Sequence, residues 1–415
     1  MPERFHGRRV VLGVSGGIAA YKAVELCRRL VDAGAFVSPI LTEAATRFVG
    51  PITFSALASE RARTSLYDDP DPIPHTTLGR AADLVVVAPA TARVLGSMTH
   101  GISDDLLTAT LLATAAPVLV CPAMHTEMWE HEATQDNLAL LRSRGVAVVE
   151  PTSGRLAGGD SGSGRMAEPQ DIFFAAESLL GPRDLEGVTV LVTAGGTREP
   201  IDAVRVIANR SSGKQGTAIA VEAAARGAKV TLVTTTRHSV PAGIEVVKVE
   251  TAFEMQGAVM PRAAGADVVI MAAAVADQRA AHPSGRKTKK AEAPTSIELE
   301  PTHDFLVDLG RAKPPSQVLV GFAAETDDVE QNARQKLERK QLDLIVANDV
   351  SAPGAGFDHE TNEVLILGAG GVRRAVPLSS KRDIAAAVLD AVTACRDRIA
   401  GRIAGPPGKE TPPTK

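Results

Sequence analysis

Two short segments place paired glycines and a hydroxyl side chain directly after an apolar run. They are Arg9–Gly17, RVVLGVSGG, and Val188–Gly196, VTVLVTAGG. A turn of this kind between a strand and a helix presents free backbone N–H groups, which bind phosphate. The first turn lacks the GxGxxG pattern of dinucleotide sites, so it fits a mononucleotide phosphate better than a pyrophosphate. A tight turn without a ligand is the alternative.

Two further segments of the first half carry polar residues beside apolar runs. His75 lies in DPIPHTT, which we expect to be a proline-rich loop ahead of a strand. Its imidazole suits a general base near neutral pH, although a single histidine is more often a surface or core residue. The segment Pro122–Trp129, PAMHTEMW, follows a strand and contains the one tryptophan. It suits a substrate clamp, and core packing explains its Met and Trp residues as well.

Polar residues of the second half follow a glycine turn and the ends of strands. Asn209–Ser212 precedes a helix and indicates an anion site, with a plain glycine-rich connection as the alternative. Asp277 directly follows a strand of small residues, where open α/β sheets bind ligands. Lys336 and Lys340 are four apart and share one helix face. The basic run Arg286–Lys290 is either a solvated loop or a loop that closes over a nucleotide.

Alternating strands and helices must position these residues. Strand-like runs include AFVSPILT, DLVVVAPA, APVLVCPA and VAVVE in the first half, and KVTLVTT, DVVIMAA, SIELE, QVLVGFA, LDLIVAN and EVLIL in the second. Helical patterns separate most of them, which predicts an α/β fold with two Rossmann-like, doubly wound domains and mainly parallel sheets. We expect domains at residues 1–180 and 188–400, a linker at 181–187, and a disordered tail at 401–415.

The segment Thr152–Glu168, TSGRLAGGDSGSGRMAE, is rich in glycine and serine and shows no periodicity. It precedes a predicted helix at Asp171–Leu180, so it lies inside the first domain. A linker and a mobile active-site flap both explain this composition.

Composition limits the class of protein. The 415 residues carry a formal net charge of −4, which favours neither nucleic acid nor an anionic membrane as a partner. Cys27, Cys121 and Cys395 are far apart and give no disulfide framework or zinc spacing. We find neither a signal peptide nor an apolar stretch of about 18 residues, so we expect a cytoplasmic enzyme without a membrane span.

The first-half motifs occur in a specific order: GVSGGIAAYK, His75, PATAR, PAMHTEMW and GD-x-G-x-GRM-x-EP. This set resembles the flavin-containing, homo-oligomeric cysteine decarboxylases over about residues 5–180. Those enzymes act on phosphopantothenoylcysteine or on the C-terminal cysteines of lantibiotic precursors. The resemblance implies a first domain of that type, with His75 as the catalytic residue.

The resemblance also implies binding residues. It implies FMN contacts at Ser15, Gly16, Gly17, Thr42, Pro89, Ala90 and Thr91. It implies decarboxylase substrate contacts at Pro122, Met124, His125, Met128, Trp129, Gly158, Asp160, Arg165 and Met166. Two positions depart from the family pattern: His125 replaces an asparagine, and Gly158 replaces the cysteine of the flap. The late proton donor is then another group, either water or His125.

The implied reaction is chemically sensible. Direct decarboxylation of a cysteine amide leaves an unstabilised carbanion, whereas oxidation of the thiol by flavin gives a thioaldehyde that accepts the electron pair. Carbon dioxide then leaves to give an enethiolate, to which the reduced flavin returns the electrons. The protein orients the thiol and handles the protons, and His75 is the expected base.

The motifs TAGGTREPID, NRSSGKQG, AAAVAD, GFAAET and LDLIVANDV resemble phosphopantothenate–cysteine ligase over about residues 187–400. The resemblance implies CTP as co-substrate and an acyl-cytidylate intermediate, with Asn209 as the catalytic residue. It implies CTP contacts at Met271, Ala272, Ala273, Asp277, Lys287, His303, Asp304, Phe305, Leu306, Phe322, Lys336 and Lys340. It further implies ligase substrate contacts at Arg205, Ser211 and Ser212, and Mg²⁺ at Asp277.

The two resemblances share one metabolite. The ligase joins 4′-phosphopantothenate and L-cysteine, and the decarboxylase converts 4′-phosphopantothenoylcysteine to 4′-phosphopantetheine, two steps of coenzyme A biosynthesis. We expect decarboxylase trimers and ligase dimers, which together build a homo-oligomer of dodecamer size. A non-enzymatic flavoprotein, a nicotinamide-linked reductase and the use of ATP are the alternatives, and the lack of GxGxxG counts against the reductase.

Overall fold

The computed structural model describes residues 4–67, 71–155, 159, 161–238, 240–241, 243–287, 296–325, 327–349, 359 and 361–404. The chain divides into two compact units, Met1–Pro182 and Arg183–Lys415. In each unit helices pack on both faces of a mainly parallel sheet, which confirms the predicted α/β class with two doubly wound domains.

The first unit alternates strands and helices up to a final hairpin and helix. Its elements are β1 Arg9–Val14, α1 Ala20–Asp32, β2 Phe36–Leu41, α2 Pro51–Leu57, α3 Pro74–Ala81, β3 Leu84–Ala90, α4 Ala92–His100, α5 Leu106–Ala113, β4 Val118–Pro122, α6 Thr126–Glu130, α7 Glu132–Ser143, β5 Ala147–Val148, β6 Thr152–Arg155, β7 Ser161–Arg165 and α8 Pro169–Leu180. A short 3₁₀ turn, Ala45–Arg47, follows β2.

The described part of the first unit contains a parallel sheet in the order β2-β1-β3-β4-β5. Alternate side chains of its strands point to opposite faces. Val10 and Leu12 pack with α1 and α8 on one face, whereas Val11 and Val85 pack with α4, α5 and α7 on the other. Both faces of the sheet are therefore covered, as continuous apolar strands require.

The second unit begins with another strand and continues to the last described helix. Its elements are β8 Thr189–Ala194, β9 Arg198–Pro200, β10 Val206–Ala208, α9 Lys214–Ala225, β11 Lys229–Thr234, β12 Glu245–Lys248, α10 Ala252–Ala263, β13 Val268–Met271, β14 Gln278–Ala280, β15 Leu299–Pro301, α11 Phe305–Ala312, β16 Val318–Glu325, α12 Val329–Arg339, β17 Leu344–Asp349, β18 Thr361–Gly368, β19 Val372–Ser380 and α13 Lys381–Ala404.

The main sheet of the second unit, within the described residues, has the order β12-β11-β8-β13-β16-β17-β18-β19. The strands from β12 to β17 are parallel, and β18 and β19 extend the sheet as antiparallel strands. The strand order reverses between β8 and β13, just as it reverses between β1 and β3 in the first unit. Each reversal opens a crevice at the carboxyl ends of the strands.

Three segments differ from their sequence-based description. His75 lies in the first turn of α3, not in a loop, because Pro74 occupies a position where a helix needs no N–H donor. The glycine-rich segment forms an antiparallel hairpin of β6 and β7, which we call the β6–β7 hairpin. Helix α13 continues to Ala404, past the expected start of the tail, and residues 405–415 lie outside the described chain.

Arg226 joins the two ends of the second unit. Its side chain is 3% exposed and follows α9 directly. The guanidinium pairs with Asp184, near the start of the unit, and with Asp390 on α13 at 2.9 Å. The hydrogen bond from Arg226 lowers the pKa of the Asp184 carboxyl. A single buried cation thus links three segments that are distant in sequence.

We expect Arg226→Met to lower the free energy of unfolding of the second unit by about 2–3 kcal/mol, because it leaves the two carboxylates without their partner. Urea unfolding followed by circular dichroism measures this loss. Arg183→Met is the matched control, since its contact with Glu186 is exposed, and it should change stability by less than about 0.5 kcal/mol. Equal effects of the two changes would contradict the structural role of Arg226.

Candidate active sites

The strands of the first sheet end at one side, which we call its carboxyl edge. Ser15 follows β1, and Pro89–Thr91 lies at the end of β3, its neighbour. The Ser15 hydroxyl donates to the Pro89 carbonyl oxygen at 2.7 Å, and the Thr91 backbone N–H donates to Ser15 Oγ at 3.0 Å. The structure therefore brings two of the predicted FMN segments together where the strand order reverses.

The two glycines beside Ser15 have different surroundings. A Cβ on Gly16 would lie 2.4 Å from the Ala44 Cβ and 2.8 Å from its carbonyl carbon, so only glycine fits there without a shift. A Cβ on Gly17 would meet nothing nearer than a Thr91 methyl carbon at 3.7 Å. Thr42 begins the loop that follows β2, and its Oγ1 accepts a hydrogen bond from the Ala45 N–H at 3.2 Å. The turn leads directly into α1 and fits a bound phosphate.

The predicted clamp begins at Pro122, the last residue of β4. Met124 and Trp129 are half-buried and pack against the core beneath β3 and β4. In contrast, His125 is exposed at the start of α6, and Met128 is 50% exposed. Met124 and Trp129 therefore fit the core-packing interpretation of this segment, whereas the exposed side chains of His125 and Met128 are available to a substrate.

The β6–β7 hairpin lies against the clamp. The Met124 N–H donates to the Gly164 carbonyl oxygen at 3.0 Å, and the Thr126 hydroxyl donates to the Ser163 carbonyl oxygen at 2.8 Å. A Cβ on Gly162 would lie 2.2 Å from Thr126 Oγ1, and one on Gly164 would lie 2.2 Å from the Met124 carbonyl oxygen. Close approach of two backbones therefore accounts for these glycines.

The remaining predicted flap residues have different surroundings. Gly158 and Asp160 lie outside the described residues. The Arg165 guanidinium donates to Glu168 at 2.7 Å. The Met166 side chain is buried in the core, so only its backbone is available near the carboxyl edge.

His75 carries an unsatisfied ring nitrogen. Its side chain is half-buried, and Nδ1 is buried without a hydrogen-bond partner in the described part of the chain. Helix α3 ends just before β3 begins, so its first turn lies toward the carboxyl edge. A buried polar atom without a partner is costly, and a bound ligand would satisfy it.

A cavity of about 400 Å³ opens at the carboxyl ends of β13 and β16 in the second unit. Its volume suits a ligand of nucleotide size. It is lined by most of the residues expected to contact CTP and by the expected catalytic residue: Asn209, Met271, Ala273, Asp277, His303, Asp304, Phe305, Leu306, Phe322, Lys336 and Lys340.

Five other residues expected at the ligase site lie outside this cavity: Ser211 and Ser212, described below, and Ala272, Lys287 and Arg205. Ala272 lines a smaller adjoining cavity, and Lys287 is exposed and does not line either cavity. Arg205 is paired inside its own turn, where its Nε and one terminal nitrogen donate to Asp202 at 2.9 and 2.6 Å. Asp202 is buried, so this pairing fixes the turn before β10.

The lysines of the large cavity are neutralised by neighbouring carboxylates. Lys336 Nζ lies 2.6 Å from Glu325, and Lys340 Nζ lies 2.8 Å from Asp304. Glu325 ends β16 and Asp304 precedes α11, whereas Lys336 and Lys340 lie at the end of α12. An anionic ligand would have to displace Glu325 and Asp304 from the two lysines in order to bind them.

Main-chain contacts connect the loops after β8 and β13, where the second strand order reverses. The Asn209 side-chain amide donates to the Val275 carbonyl oxygen at 3.1 Å, and the Ala276 N–H donates to Thr197 Oγ1 at 2.9 Å. A Cβ on Gly196 would lie 2.6 Å from the Asn209 carbonyl oxygen. These contacts hold Asn209 at the wall of the large cavity.

A second cavity of about 110 Å³ adjoins the first and shares part of its wall. Ser211 and Ser212 line it at the start of α9. Sequence reasoning did not single out three buried polar residues that also line it: Asn348, Asn362 and Lys381. Asn348 lies in the quoted ANDV segment, but Asn362 and Lys381 come from β18 and α13. In the sequence, these residues are marked only by being polar and lying beside an apolar run.

Two features are absent from the described residues. No helix there is long and apolar enough to cross a membrane. The same residues contain no group of three or more His, Cys, Asp and Glu side chains that could hold a metal ion. Within the described residues, Asp277 is therefore not part of a preformed metal cage.

Family models and curated relatives match nearly the whole chain. Residues 2–180 match the flavoprotein family, and residues 185–395 match the DNA/pantothenate metabolism flavoprotein C-terminal domain. The chain is 50% identical over 402 residues to the coenzyme A biosynthesis bifunctional protein CoaBC of Mycobacterium tuberculosis (strain H37Rv), covering 93% of this chain and 96% of that protein. The chain belongs to the CoaBC family. CoaBC of Bacillus subtilis (strain 168) is 45% identical over 396 residues, covering 94% and 97%.

Two solved structures each match about half of the chain. One is the C-terminal domain of a CoaBC protein, with 39% identity, a TM-score of 0.45, and coverage of 52% of this chain and 99% of that one. The other is a mutant PPC decarboxylase complexed with pantothenoylaminoethenethiol, with 33% identity, a TM-score of 0.37, and coverage of 40% and 95%.

Membership of the CoaBC family confirms the function expected from the ordered motifs. The chain is a bifunctional enzyme of coenzyme A biosynthesis, with an N-terminal flavoprotein decarboxylase and a C-terminal ligase. Its activities are phosphopantothenoylcysteine decarboxylase and phosphopantothenate–cysteine ligase. The flavoprotein match also confirms a flavin as cofactor.

The cysteines of this CoaBC family member are all buried. Cys27 and Cys121 are fully buried, and Cys395 is 6% exposed. Burial raises the pKa of Cys27 to about 11 and also raises the pKa values of Cys121 and Cys395. The three thiols therefore stay protonated at neutral pH and are shielded from solvent.

We expect both activities to survive treatment of the folded enzyme with iodoacetamide at about pH 8, because the reagent attacks thiolates and none is accessible. Mass spectrometry counts the adducts, and the two activities are assayed after the reagent is removed. Unfolding in urea is the control and should expose three reactive thiols. A loss of decarboxylation that tracks the labelling of one cysteine would contradict this prediction.

Proposed function

We propose that residues 1–180 form an FMN-dependent decarboxylase and residues 188–400 a CTP-dependent ligase, joined by residues 181–187. The ligase condenses 4′-phosphopantothenate with L-cysteine, and the decarboxylase converts the product to 4′-phosphopantetheine. One observation carries the assignment of both sites. In the first domain the predicted FMN residues gather where the strand order reverses, and in the second the loops after β8 and β13, at the reversal, supply Asn209 and Asp277 to the cavity beside β13 and β16.

FMN is assigned to the carboxyl edge between β1 and β3. The order β2-β1-β3-β4-β5 is that of flavodoxin-like sheets, which bind FMN at this reversal. The bonded pair Ser15 and Thr91, with the bare backbone of Gly16 and Gly17, fits a phosphate-bearing cofactor. When bound, FMN supplies a two-electron acceptor for the substrate thiol.

His75 is assigned as the base that takes the thiol proton of the substrate. Its Nδ1 is buried and has no hydrogen-bond partner among the described residues, so it is open to a proton donor. A histidine has its ordinary pKa close to neutral, which suits reversible proton transfer.

His125 is assigned to the carboxylate of the decarboxylase substrate. Its imidazole is exposed at the end of β4, beside the half-exposed Met128. The side-chain amide of an asparagine and the N–H of an imidazole are both hydrogen-bond donors, so the replacement preserves the donor. A protonated His125 binds a carboxylate more strongly and also holds a proton near the reacting carbon.

The large cavity of the ligase is assigned to CTP. Its volume of about 400 Å³ and its two lysines suit a nucleotide with a charged triphosphate. Lys336 and Lys340 leave Glu325 and Asp304 to bind phosphate oxygens. The adjoining cavity, with Ser211, Ser212 and the start of α9, suits a second anionic group.

The ligase reaction has two displacements. The carboxylate oxygen of 4′-phosphopantothenate attacks the α-phosphorus of CTP, and pyrophosphate leaves. The amine of cysteine then attacks the acyl carbon, loses a proton, and CMP leaves. Asn209 is assigned to stabilise the acyl-cytidylate, because its side-chain amide is held at the cavity wall. Arg205 is assigned to the same substrate on the resemblance alone.

Mg²⁺ is assigned to Asp277 together with phosphate oxygens of the nucleotide. Asp277 lines the large cavity and is exposed. Magnesium is commonly held by one or two carboxylates and substrate phosphates, so a lone carboxylate suffices. When bound, the ion neutralises charge on the leaving pyrophosphate.

A closed homo-oligomer of decarboxylase trimers and ligase dimers is the assigned assembly. The decarboxylase unit exposes several large apolar side chains, which supports contacts between copies. They include Ile18, Tyr21, Phe48, Ile52, Tyr67, Ile73 and Leu112.

Separate substitutions distinguish the two sites. His75→Asn should reduce carbon dioxide release by about 10²–10⁴-fold while pyrophosphate release continues. Asn209→Asp should reduce pyrophosphate release by about 10²-fold, while added 4′-phosphopantothenoylcysteine is still decarboxylated. Product formation is followed by mass spectrometry, with circular dichroism as the folding control. If either folded variant lost both reactions, the two-site assignment would be wrong.

Nucleotide choice is tested with one incubation of enzyme, FMN, Mg²⁺, cysteine and 4′-phosphopantothenate, divided between CTP and ATP. We expect 4′-phosphopantetheine and CMP in the CTP sample and almost no product in the ATP sample. Equal product with ATP would overturn the assignment of CTP. Accumulation of 4′-phosphopantothenoylcysteine would retain the ligase and show that the decarboxylase site is inactive.

A further inference from the structure

Lys22 is a buried cation in the first unit. It lies in the first turn of α1, and its side chain is only 7% exposed. Its ammonium donates to the Met166 carbonyl oxygen and to Glu168 Oε1, each at 3.0 Å. Burial of a lysine is unfavourable unless such partners replace water.

The bonds of Lys22 all go to the segment that leaves the β6–β7 hairpin. Glu168 precedes α8, and its Oε1 also accepts a hydrogen bond from Arg165, the last residue of β7, at 2.7 Å. One carboxylate oxygen thus bridges the buried ammonium and the Arg165 guanidinium. The hydrogen bond from Lys22 lowers the pKa of Glu168, so the carboxylate stays charged at neutral pH.

The two ends of this bridge belong to different parts of the candidate decarboxylase site. Lys22 lies in the first turn of α1, which begins just after the Ser15–Gly17 turn. Arg165 follows Gly164, whose carbonyl oxygen accepts the Met124 N–H of the clamp. The bridge is therefore a side-chain connection between the turn at the end of β1 and the strand that borders the clamp.

We propose that Lys22 is a positioning residue for decarboxylation, which acts through Met166 and Glu168 to hold Arg165 and the end of the β6–β7 hairpin against the candidate site. The inference rests on the assignment of the decarboxylase site to this carboxyl edge. Lys22 itself faces the core and Glu168, so it does not contact the reacting atoms.

Stability alone does not require a lysine at this position. An ion pair between a buried lysine and a half-exposed carboxylate, such as Lys22 with Glu168, contributes little net stability compared with an apolar side chain of similar size, but it fixes the geometry of the groups it joins. A methionine of similar length would fill the space without donating to Glu168 or Met166. Lys22→Met therefore separates packing from positioning.

In Lys22→Met holoenzyme we expect the KM for 4′-phosphopantothenoylcysteine to rise about tenfold, with a smaller change in kcat and unchanged flavin content. Without substrate, trypsin should cleave after Arg155 and Arg165 about tenfold faster than in the unaltered enzyme. Lys22→Arg should restore both values in part, because it keeps a cation within reach of Glu168. Pyrophosphate release by the ligase should be unaffected.

Arg29→Met is the matched control, since Arg29 lies on the same helix and its ion pair with Glu25 is exposed. It should leave the KM and the cleavage rate unchanged. Glu168→Gln tests the bridge from the other side and should reproduce the rise in KM. If Lys22→Met folds and binds flavin with an unaltered KM and cleavage rate, the proposal is overturned. If Lys22→Met fails to fold, the proposal is overturned when Glu168→Gln has a normal KM and a normal cleavage rate.

One further measurement separates this proposal from the site assignment on which it rests. The product 4′-phosphopantetheine should protect the bond after Arg165 in the unaltered enzyme. If the product does not protect this bond, the assignment of the decarboxylase site to this edge is wrong, whatever the cleavage rates of the ligand-free variants. Protection in the unaltered enzyme, with equal ligand-free cleavage in Lys22→Met, would retain the site and reject the positioning role.

Discussion

Both units depend on the reversal of strand order in a parallel sheet. Parallel neighbours need crossover helices, and when successive crossovers go in opposite directions, the loops after the two central strands separate and leave a crevice. In the first unit these strands are β1 and β3, and in the second they are β8 and β13. The predicted FMN residues lie at the first reversal, and the loops at the second reversal supply Asn209 and Asp277 to the wall of the ligase cavity beside β13 and β16.

Each crevice is closed at its base by contacts between the two loops. Ser15 bonds to the end of β3 in the first unit, and Asn209 bonds to the loop after β13 in the second. Gly16 packs closely against Ala44 in the loop after β2, and Gly196 packs against Asn209 within the loop after β8, because a Cβ at either position would collide there. Small residues and short polar side chains therefore form the contacts at the base of each crevice.

Local sequence patterns predicted most of this arrangement. Apolar runs between helical patterns predicted both parallel sheets, and the position of Ser15, Asp277 and similar residues after those runs predicted which edge they share. The sequence does not predict the helix at His75, because proline is typical of loops and also occurs at the first position of helices. Asn362 and Lys381 were missed because antiparallel pairing of β18 brings them to the cavity, and pairing partners are not encoded locally.

The charge distribution in the ligase follows from the same geometry. Two lysines line the large cavity, where the triphosphate is assigned, yet Lys336 and Lys340 are each paired with a carboxylate. An unpaired lysine in a partly enclosed cavity loses hydration without compensation, so the pairs lower the cost of keeping cations there. Glu325 and Asp304 then make binding selective, because a ligand must carry enough negative charge to replace them. A neutral nucleoside gains nothing from that exchange, whereas a triphosphate does.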